Sequence, residues 1–161
     1  MLPENDLPLP HRDELAEAVR QCHRDAKFLA GLRDIYRRLD AITTRADLAC
    51  RTCGDCCRFD QAQHHLFLST GELAFLVRAP GPMGGSTEGC CPYQVGSRCT
   101  ARDYRALGCR VYFCEAPAAH CEQIYQRLHD EVRRLHRRHN LTYWYVELLC
   151  ALNLLASGSA A

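Results

Sequence analysis

Apolar residues in the first third of the chain recur at helical spacing. From Asp13 onward they step by three and four residues, which marks one face of an amphipathic helix: Leu15, Val19, Cys22, Ala26, Leu29, Leu32, Ile35, Leu39 and Ile42. The pattern predicts a long helical stretch with a break near Gly31. Because Cys22 lies on the apolar face, we expect it to be a small buried hydrophobe rather than a ligand.

The middle of the chain predicts a short helix followed by a loop. Residues 69–78 are typical of a short helix with Ser69 or Thr70 as its N-cap. Residues 79–89 contain two prolines and four glycines, which indicates a loop. This loop joins two groups of cysteines that are far apart in sequence.

Two more helices are predicted near the C-terminus. Pro117 suits a first turn, Asn140 ends that helix, and the apolar stripe between them consists of Ile124, Leu128, Val132 and Leu135. A last apolar helix is expected over about 142–156, with Cys150 buried. The histidines of the first of these two helices and its arginines are expected to be solvated, namely His129, His136, His139, Arg127, Arg133, Arg134, Arg137 and Arg138.

Together these patterns predict a mostly α fold, a small single domain of helices packed around an irregular cysteine-rich metal-binding centre. The helical domain is expected over 13–156, with the cysteine cluster region at 50–114. A flexible lead-in is expected at 1–12 and a tail at 157–161. No convincing alternating strands and no internal repeats are present. A chain of 161 residues is long enough for a real apolar core.

Composition excludes some classes of function and favours a cytoplasmic location. The formal net charge of +1 makes a nucleic-acid partner unlikely. The apolar stretch 141–156 is too short for the roughly 20 residues of a membrane span, so no membrane partner is expected. No secretory signal is visible. In the cytoplasm thiols stay reduced, and a cysteine pattern then indicates metal binding or catalysis before disulfides.

The cysteines are the most informative chemistry in the chain. Cys50, Cys53, Cys56 and Cys57 form the run Cys-x2-Cys-x2-Cys-Cys, and four more follow at Cys91, Cys99, Cys109 and Cys114. Two intervening residues allow two thiolates to reach one metal, and zinc ribbons use this spacing in pairs. Bacterial ferredoxins use the triple spacing with a remote cysteine before proline, as in Cys91-Pro92. The pattern therefore favours an iron–sulfur cluster over zinc, although spacing alone does not choose the metal.

Two constraints act on such a site. Adjacent side chains diverge, so Cys56 and Cys57 are not expected to bind one ion terminally; Cys57 could serve a second centre, bridge two ions or stay a thiol. Eight thiolates would also take the formal charge from +1 to −7, so cations must be present or most thiols are protonated. Flanking arginines could donate to sulfur or simply lie on the surface, namely Arg51, Arg58, Arg98 and Arg110.

The cysteine run resembles the defining motif of the YkgJ-type cysteine cluster proteins, the CxxCxxCC family, which is described as a zinc- or iron-chelating domain. Cys91-Pro-Tyr is similar to the Cys-Pro-hydrophobic element of that family, and Cys109-Arg110-Val-Tyr112-Phe-Cys114 is similar to its closing element. The likeness spans about 50–114. The chain departs from the family pattern in having Arg105-Ala106 for Arg-Pro and Arg102 for an aromatic residue. The resemblance implies a small bacterial metal-binding protein of undefined role.

We therefore expect a cytoplasmic metal-binding protein whose eight motif cysteines hold an iron–sulfur cluster, with room for a second metal centre. Its role would be electron transfer, redox sensing or metal handling. The first alternative is a zinc-stabilised structural or interaction module, and the second is an accessory subunit of a redox or modifying enzyme. No catalytic constellation is recognisable in the sequence. Four further side chains near the motif are expected to be spectators, namely Cys90, Cys121, His64 and His65.

Overall fold

A computed structural model describes residues 9–81, 89–114 and 116–157, which form seven α-helices and four short β-strands. The helices are α1 (Arg12–Arg24), α2 (Ala26–Arg45), α3 (Phe59–Ala62), α4 (Thr70–Leu76), α5 (Leu107–Val111), α6 (Ala118–Arg138) and α7 (Leu148–Ala156). The strands are β1 (Phe67–Ser69), β2 (Gln94–Val95), β3 (Arg98–Cys99) and β4 (Tyr145–Glu147). The predicted mostly helical single domain is confirmed.

The first predicted helix is two helices, and the break lies at Asp25 rather than at Gly31. Asp25 is extended, and its carboxylate accepts a hydrogen bond from Phe28 N at 2.8 Å, which caps α2. Gly31 lies inside α2 at a close approach to α6, since a Cβ there would be 2.8 Å from Leu135 Cδ1. The glycine therefore serves helix packing, and an aspartate N-cap makes the break.

Six of the helices enclose the apolar core. Helix α1 packs on α4 and α7, and α2 packs on α4, α5 and α6. Cys22 is fully buried in this core, as predicted, and burial raises the pKa of its thiol to about 12. Its fully buried neighbours include Leu15, Phe28 and Leu32. None of the described helices is long and apolar enough to cross a membrane.

Two small antiparallel sheets were not predicted. Leu68 of β1 lies opposite Val146 of β4, and Val95 of β2 lies opposite Arg98 of β3. Strand β4 replaces the first part of the expected helix over 142–156, so that α7 begins at Leu148 with Glu147 as its N-cap. Cys150 is only half-buried, so that expectation is also wrong. Strands of two or three residues are too short to show a period in sequence.

The N-terminus of α4 agrees with prediction and joins the core to the cysteine region. Ser69 and Glu72 form a capping box in which Ser69 N donates to Glu72 Oε2 at 2.8 Å. Glu72 is 1% exposed, and its other oxygen accepts a hydrogen bond from Leu107 N at 2.7 Å. This one carboxylate therefore positions the start of α5.

Several predicted boundaries can be compared with the described residues. Pro117 is the N-cap of α6 rather than a residue of its first turn, and α6 ends at Arg138, two residues before Asn140. Pro10 is buried, and α1 begins at Arg12, within the expected lead-in 1–12. Residues 1–8, 82–88 and 158–161 lie outside the described residues, and with them most of the predicted loop and tail.

The prediction that the histidines of α6 are solvated is wrong for two of them. His129 is 5% exposed and His136 is 1% exposed, because both lie on the face of α6 turned to the core. His136 Nε2 accepts a hydrogen bond from Gly71 N at 3.3 Å, and its ring meets the edge of Phe28. His139 is half-buried and contacts Asp25. The predicted solvated arginines of α6 are all exposed.

His136 should make the fold sensitive to acid. Burial lowers its pKa from the ordinary 6.5 to about 4, so the unfolded chain takes up this proton more readily than the folded one. Stability from this group is complete above pH 6.5 and is lost as the pH falls towards 4, by about 3 kcal/mol in all. Urea unfolding at several pH values should give a flatter profile for His136→Gln, whereas the exposed His23→Gln should keep the wild-type slope.

Candidate functional site

The motif cysteines surround one cavity of about 430 Å³. Seven of the eight line its wall, namely Cys50, Cys56, Cys57, Cys91, Cys99, Cys109 and Cys114. The eighth, Cys53, lies beside Cys114 and shares a thiol hydrogen bond with it. The fold thus brings together two cysteine segments, 50–57 and 91–114, that are far apart in sequence. None of the twelve cysteines is in a disulfide.

Tight turns shape the first segment. Thr52 and Gly54 have positive φ angles of 55° and 82°, and a 3₁₀ turn, Asp55–Cys57, follows. Thr52 N donates to Cys50 Sγ at 3.4 Å. A Cβ on Gly54 would lie 2.4 Å from Gln94 Nε2, and that amide donates to Gly54 O at 3.0 Å. Glycine is therefore needed here for both its φ angle and the close approach.

Backbone hydrogen bonds bring the second segment against the first. Cys91 N donates to Cys57 O at 2.8 Å, and Thr100 N donates to Tyr93 O at 2.8 Å beside the β2–β3 hairpin that carries Cys99. Cys109 lies on α5, whose first residue is held by Glu72. Three independent local structures therefore supply the later cysteines.

The adjacent pair Cys56 and Cys57 faces the same cavity. Their side chains were expected to diverge, with a second centre, a bridging role or a free thiol open for Cys57. In the structure the 3₁₀ turn allows both residues to line the wall, where their thiols share a hydrogen bond. Cys57 also shares a hydrogen bond with Cys91 and lies close enough to Cys99 for their charges to interact. Cys57 is therefore central among the thiols rather than an outlier.

The surroundings of three of the motif thiols, Cys56, Cys57 and Cys109, disfavour the thiolate and raise its pKa. The hydrogen bond with Cys56 favours the Cys57 thiolate, but the hydrogen bond to Cys91, burial and nearby thiols outweigh it and raise the pKa to about 12. Burial likewise raises the pKa of Cys109 to about 12, against the opposing charge of Arg105. The pKa of Cys56 is raised by its hydrogen bond to Cys57 and by burial. A bound metal would have to displace these protons.

Two arginines beyond the four that the sequence suggested lie at the cavity. Among those four, Arg110 is buried, pairs with Asp40 at 3.3 Å and stacks on Tyr36. Arg102 Nη1 lies 4.0 Å from Cys50 Sγ, and Arg105 lines the cavity. The sequence signal for Arg105 was its place at the Arg-Pro step of the family pattern.

The four side chains that were expected to take no part in the site divide into two groups. His64, His65 and Cys121 line the cavity, with His64 stacked on Tyr112. Cys90 does not line it, and its thiol donates to Gln94 Oε1 at 2.9 Å. Cys121 is on α6, so its helix contributes a ninth sulfur that motif spacing could not have indicated.

The thiols share a cavity without converging on one point. Among residues 9–81, 89–114 and 116–157, no group of three or more cysteine, histidine, aspartate or glutamate side chains is arranged to hold a metal ion. Comparison with models of known protein families, with curated proteins and with solved structures gives no match. The cavity and its chemistry therefore carry the functional argument.

Proposed function

We propose that this protein is a metal-binding protein whose motif cysteines hold an iron–sulfur cluster, with electron transfer, redox sensing or metal handling as its role. The observation that carries the proposal is the gathering of seven motif thiols around one cavity, with the eighth adjacent to it. A cytoplasmic location and a place among the CxxCxxCC proteins belong to the same proposal. They rest on the sequence pattern.

The donor set fits this group. Thiolates are soft ligands that select zinc, Cu(I) and iron–sulfur clusters. The thiols lie on loops and short helices, so rotation of side chains would let them close on a centre. Arg102 and Arg105 are cations at the same cavity and would offset the negative charge of thiolates.

Iron–sulfur is favoured over zinc by the ligand pattern and the size of the site. Structural zinc is almost always held by four ligands in a closed tetrahedron. Here seven motif thiols border a cavity of about 430 Å³, which exceeds the needs of one ion. The triple Cys-x2 spacing with a remote Cys91-Pro92 is that of bacterial ferredoxins.

Anaerobic purification followed by analysis of iron, sulfide and zinc tests the proposal. We expect stoichiometric iron and sulfide with a broad visible absorption that bleaches on reduction. A colourless protein with stoichiometric zinc would exclude the iron–sulfur cluster but would still support metal binding by the cysteines. A folded protein that acquires no metal after reconstitution would contradict the whole proposal.

A zinc-stabilised interaction module is the second candidate, and one observation favours it. None of the motif cysteines is among the buried core residues, although Cys91 and Cys99 pack against that core, so a metal could serve to order the cysteine segments 50–57 and 91–114 on either side of α4. Chelation should then loosen those two segments and leave α1, α2, α4, α6 and α7 folded. An accessory subunit of a redox enzyme is a third possibility, and co-purification of a partner enzyme with the tagged protein would support it.

A further inference from the structure

One tyrosine at the cavity has a buried hydroxyl without a hydrogen-bond partner. Tyr93 lines the cavity, and its side chain is fully buried. Within the part of the chain that the structure describes, no group donates to or accepts from its Oη. The other three tyrosines at the cavity differ from it, because Tyr112 is exposed and the hydroxyls of Tyr125 and Tyr145 share a hydrogen bond at 2.6 Å. A buried polar group without a partner has a free-energy cost, so an acceptor for Tyr93 would be stabilising.

Backbone hydrogen bonds fix the position of Tyr93. Gln94 N donates to Cys91 O at 3.0 Å, which closes a turn over Pro92 and Tyr93. Tyr93 O accepts hydrogen bonds from Thr100 N at 2.8 Å and from Thr100 Oγ1 at 2.9 Å. The backbone of Tyr93 is therefore tied both to the turn that carries one motif cysteine and to the hairpin that carries another.

The thiols of these two cysteines are close enough to act on the Tyr93 hydroxyl. Burial raises the pKa of Tyr93 to about 12, and the charges of Cys91 and Cys99 act in the same direction. The hydroxyl therefore keeps its proton at neutral pH and can donate a hydrogen bond. A thiolate is a better acceptor than a thiol, because charge on the acceptor strengthens a hydrogen bond.

We infer that Tyr93 Oη donates a hydrogen bond to the sulfur of Cys91 or Cys99 once a bound metal has converted that thiol to a thiolate. The inference rests on the proposed metal-binding function and adds to the site a positioning residue that is not a cysteine. In the structure both thiols lie near the hydroxyl without bonding to it. Metal binding gives the hydroxyl a charged acceptor, and the hydrogen bond orients the ligand sulfur.

This role gives different effects in two states of the protein. In the metal-free protein the Tyr93 hydroxyl is buried without a partner, so its removal in Tyr93→Phe should not lower the free energy of unfolding. In the metal-loaded protein the same change removes a hydrogen bond to a charged sulfur, so metal affinity should fall. A purely structural role for the hydroxyl would instead lower the stability of both states.

Zn²⁺ serves as the probe on the full-length reduced protein, because thiolates bind it whichever metal is natural. We expect competition with a chromophoric chelator to show Tyr93→Phe binding Zn²⁺ about tenfold more weakly than the wild type. Urea unfolding of the metal-free variant should show no loss of stability. Tyr36→Phe is the matched control, since the Tyr36 hydroxyl is also buried without a partner but Tyr36 does not line the cavity. Its Zn²⁺ affinity should equal that of the wild type.

The outcomes separate this inference from metal binding itself. Equal Zn²⁺ affinity of the wild type and Tyr93→Phe, or an equal fall in Tyr36→Phe, would overturn the role of Tyr93 and leave metal binding by the cysteines supported. Absence of Zn²⁺ binding by the wild type would overturn both. If Tyr93→Phe does not fold, NMR of the wild type decides, because Zn²⁺ should move the signal of the Tyr93 hydroxyl proton downfield. An unmoved signal would contradict the inference.

Discussion

Replacing Cys57 by serine should abolish stoichiometric metal binding without unfolding the protein. Its thiol shares hydrogen bonds with Cys56 and Cys91, and its charge interacts with those of Cys99 and Cys109. Cys57 thus contacts thiols of both cysteine segments, 50–57 and 91–114. Without it, a metal would lose a ligand that links the two segments. Because Cys57 is not among the residues of the buried core, far-UV circular dichroism should change little. Metal content after anaerobic reconstitution is the measurement.

Cys150→Ser is the matched control for Cys57→Ser. Cys150 is half-buried like Cys57, but it lies on α7 and is not among the residues that line the cavity. The control should bind as much metal as the wild type. Cys90→Ser should also retain metal, whereas Cys121→Ser tests whether the cavity cysteine outside the motif is a ligand. Full metal content in Cys57→Ser would show that Cys57 is not a required ligand.

The largest effect on stability is expected from Glu72→Ala. The carboxylate is 1% exposed and accepts hydrogen bonds from Ser69 N, Ser69 Oγ and Leu107 N. Removing it leaves these donors buried without an acceptor and opens a cavity in the core. We expect a loss of about 3–5 kcal/mol in the free energy of unfolding, measured by urea denaturation.

Glu14→Ala separates this effect from simple loss of a helix cap. Glu14 occupies the same capping-box position in α1, where it accepts from His11 N at 2.9 Å, but it is exposed. The loss in the free energy of unfolding should be much smaller for Glu14→Ala, because water replaces the acceptor. Glu72→Ala should also weaken metal binding, since α5 carries Cys109 and begins at Leu107. Equal destabilisation by the two variants would refute the bridging role of Glu72.

The cysteine motif and the helix patterns could be predicted because they are local. Apolar spacing along α1, α2 and α6 follows from the helical period, and Ser69 before Glu72 is a capping signal of adjacent residues. The motif cysteines were recognisable by spacing alone. The position of the break between α1 and α2 was not, because Gly31 and Asp25 are both plausible interruptions until α6 is packed against α2.

The errors concern contacts between residues distant in sequence. His129 and His136 were wrongly expected to be solvated, although they lie three and four residues from Val132 and so share the apolar face of α6. The groups that they pack against come from elements distant in sequence. Strand β4 was wrongly predicted to be helical, because its partner β1 lies about 75 residues earlier and each strand has only three residues. Which arginines lie at the cavity could not be predicted, because proximity to a cysteine in sequence does not show which side chains approach the thiols.

By itself, the sequence determined that the chain is mostly helical and rich in thiols at metal-binding spacing, because helical periodicity and Cys-x2-Cys turns are properties of adjacent residues. Only the tertiary structure decided that Cys56 and Cys57 face one cavity and that Cys121, Arg102 and Arg105 border it. It also decided that a buried tyrosine hydroxyl with no hydrogen-bond partner among the described residues lies at the same wall. Packing of separate segments sets these relations, since the orientation of each side chain depends on which elements its helix or loop meets.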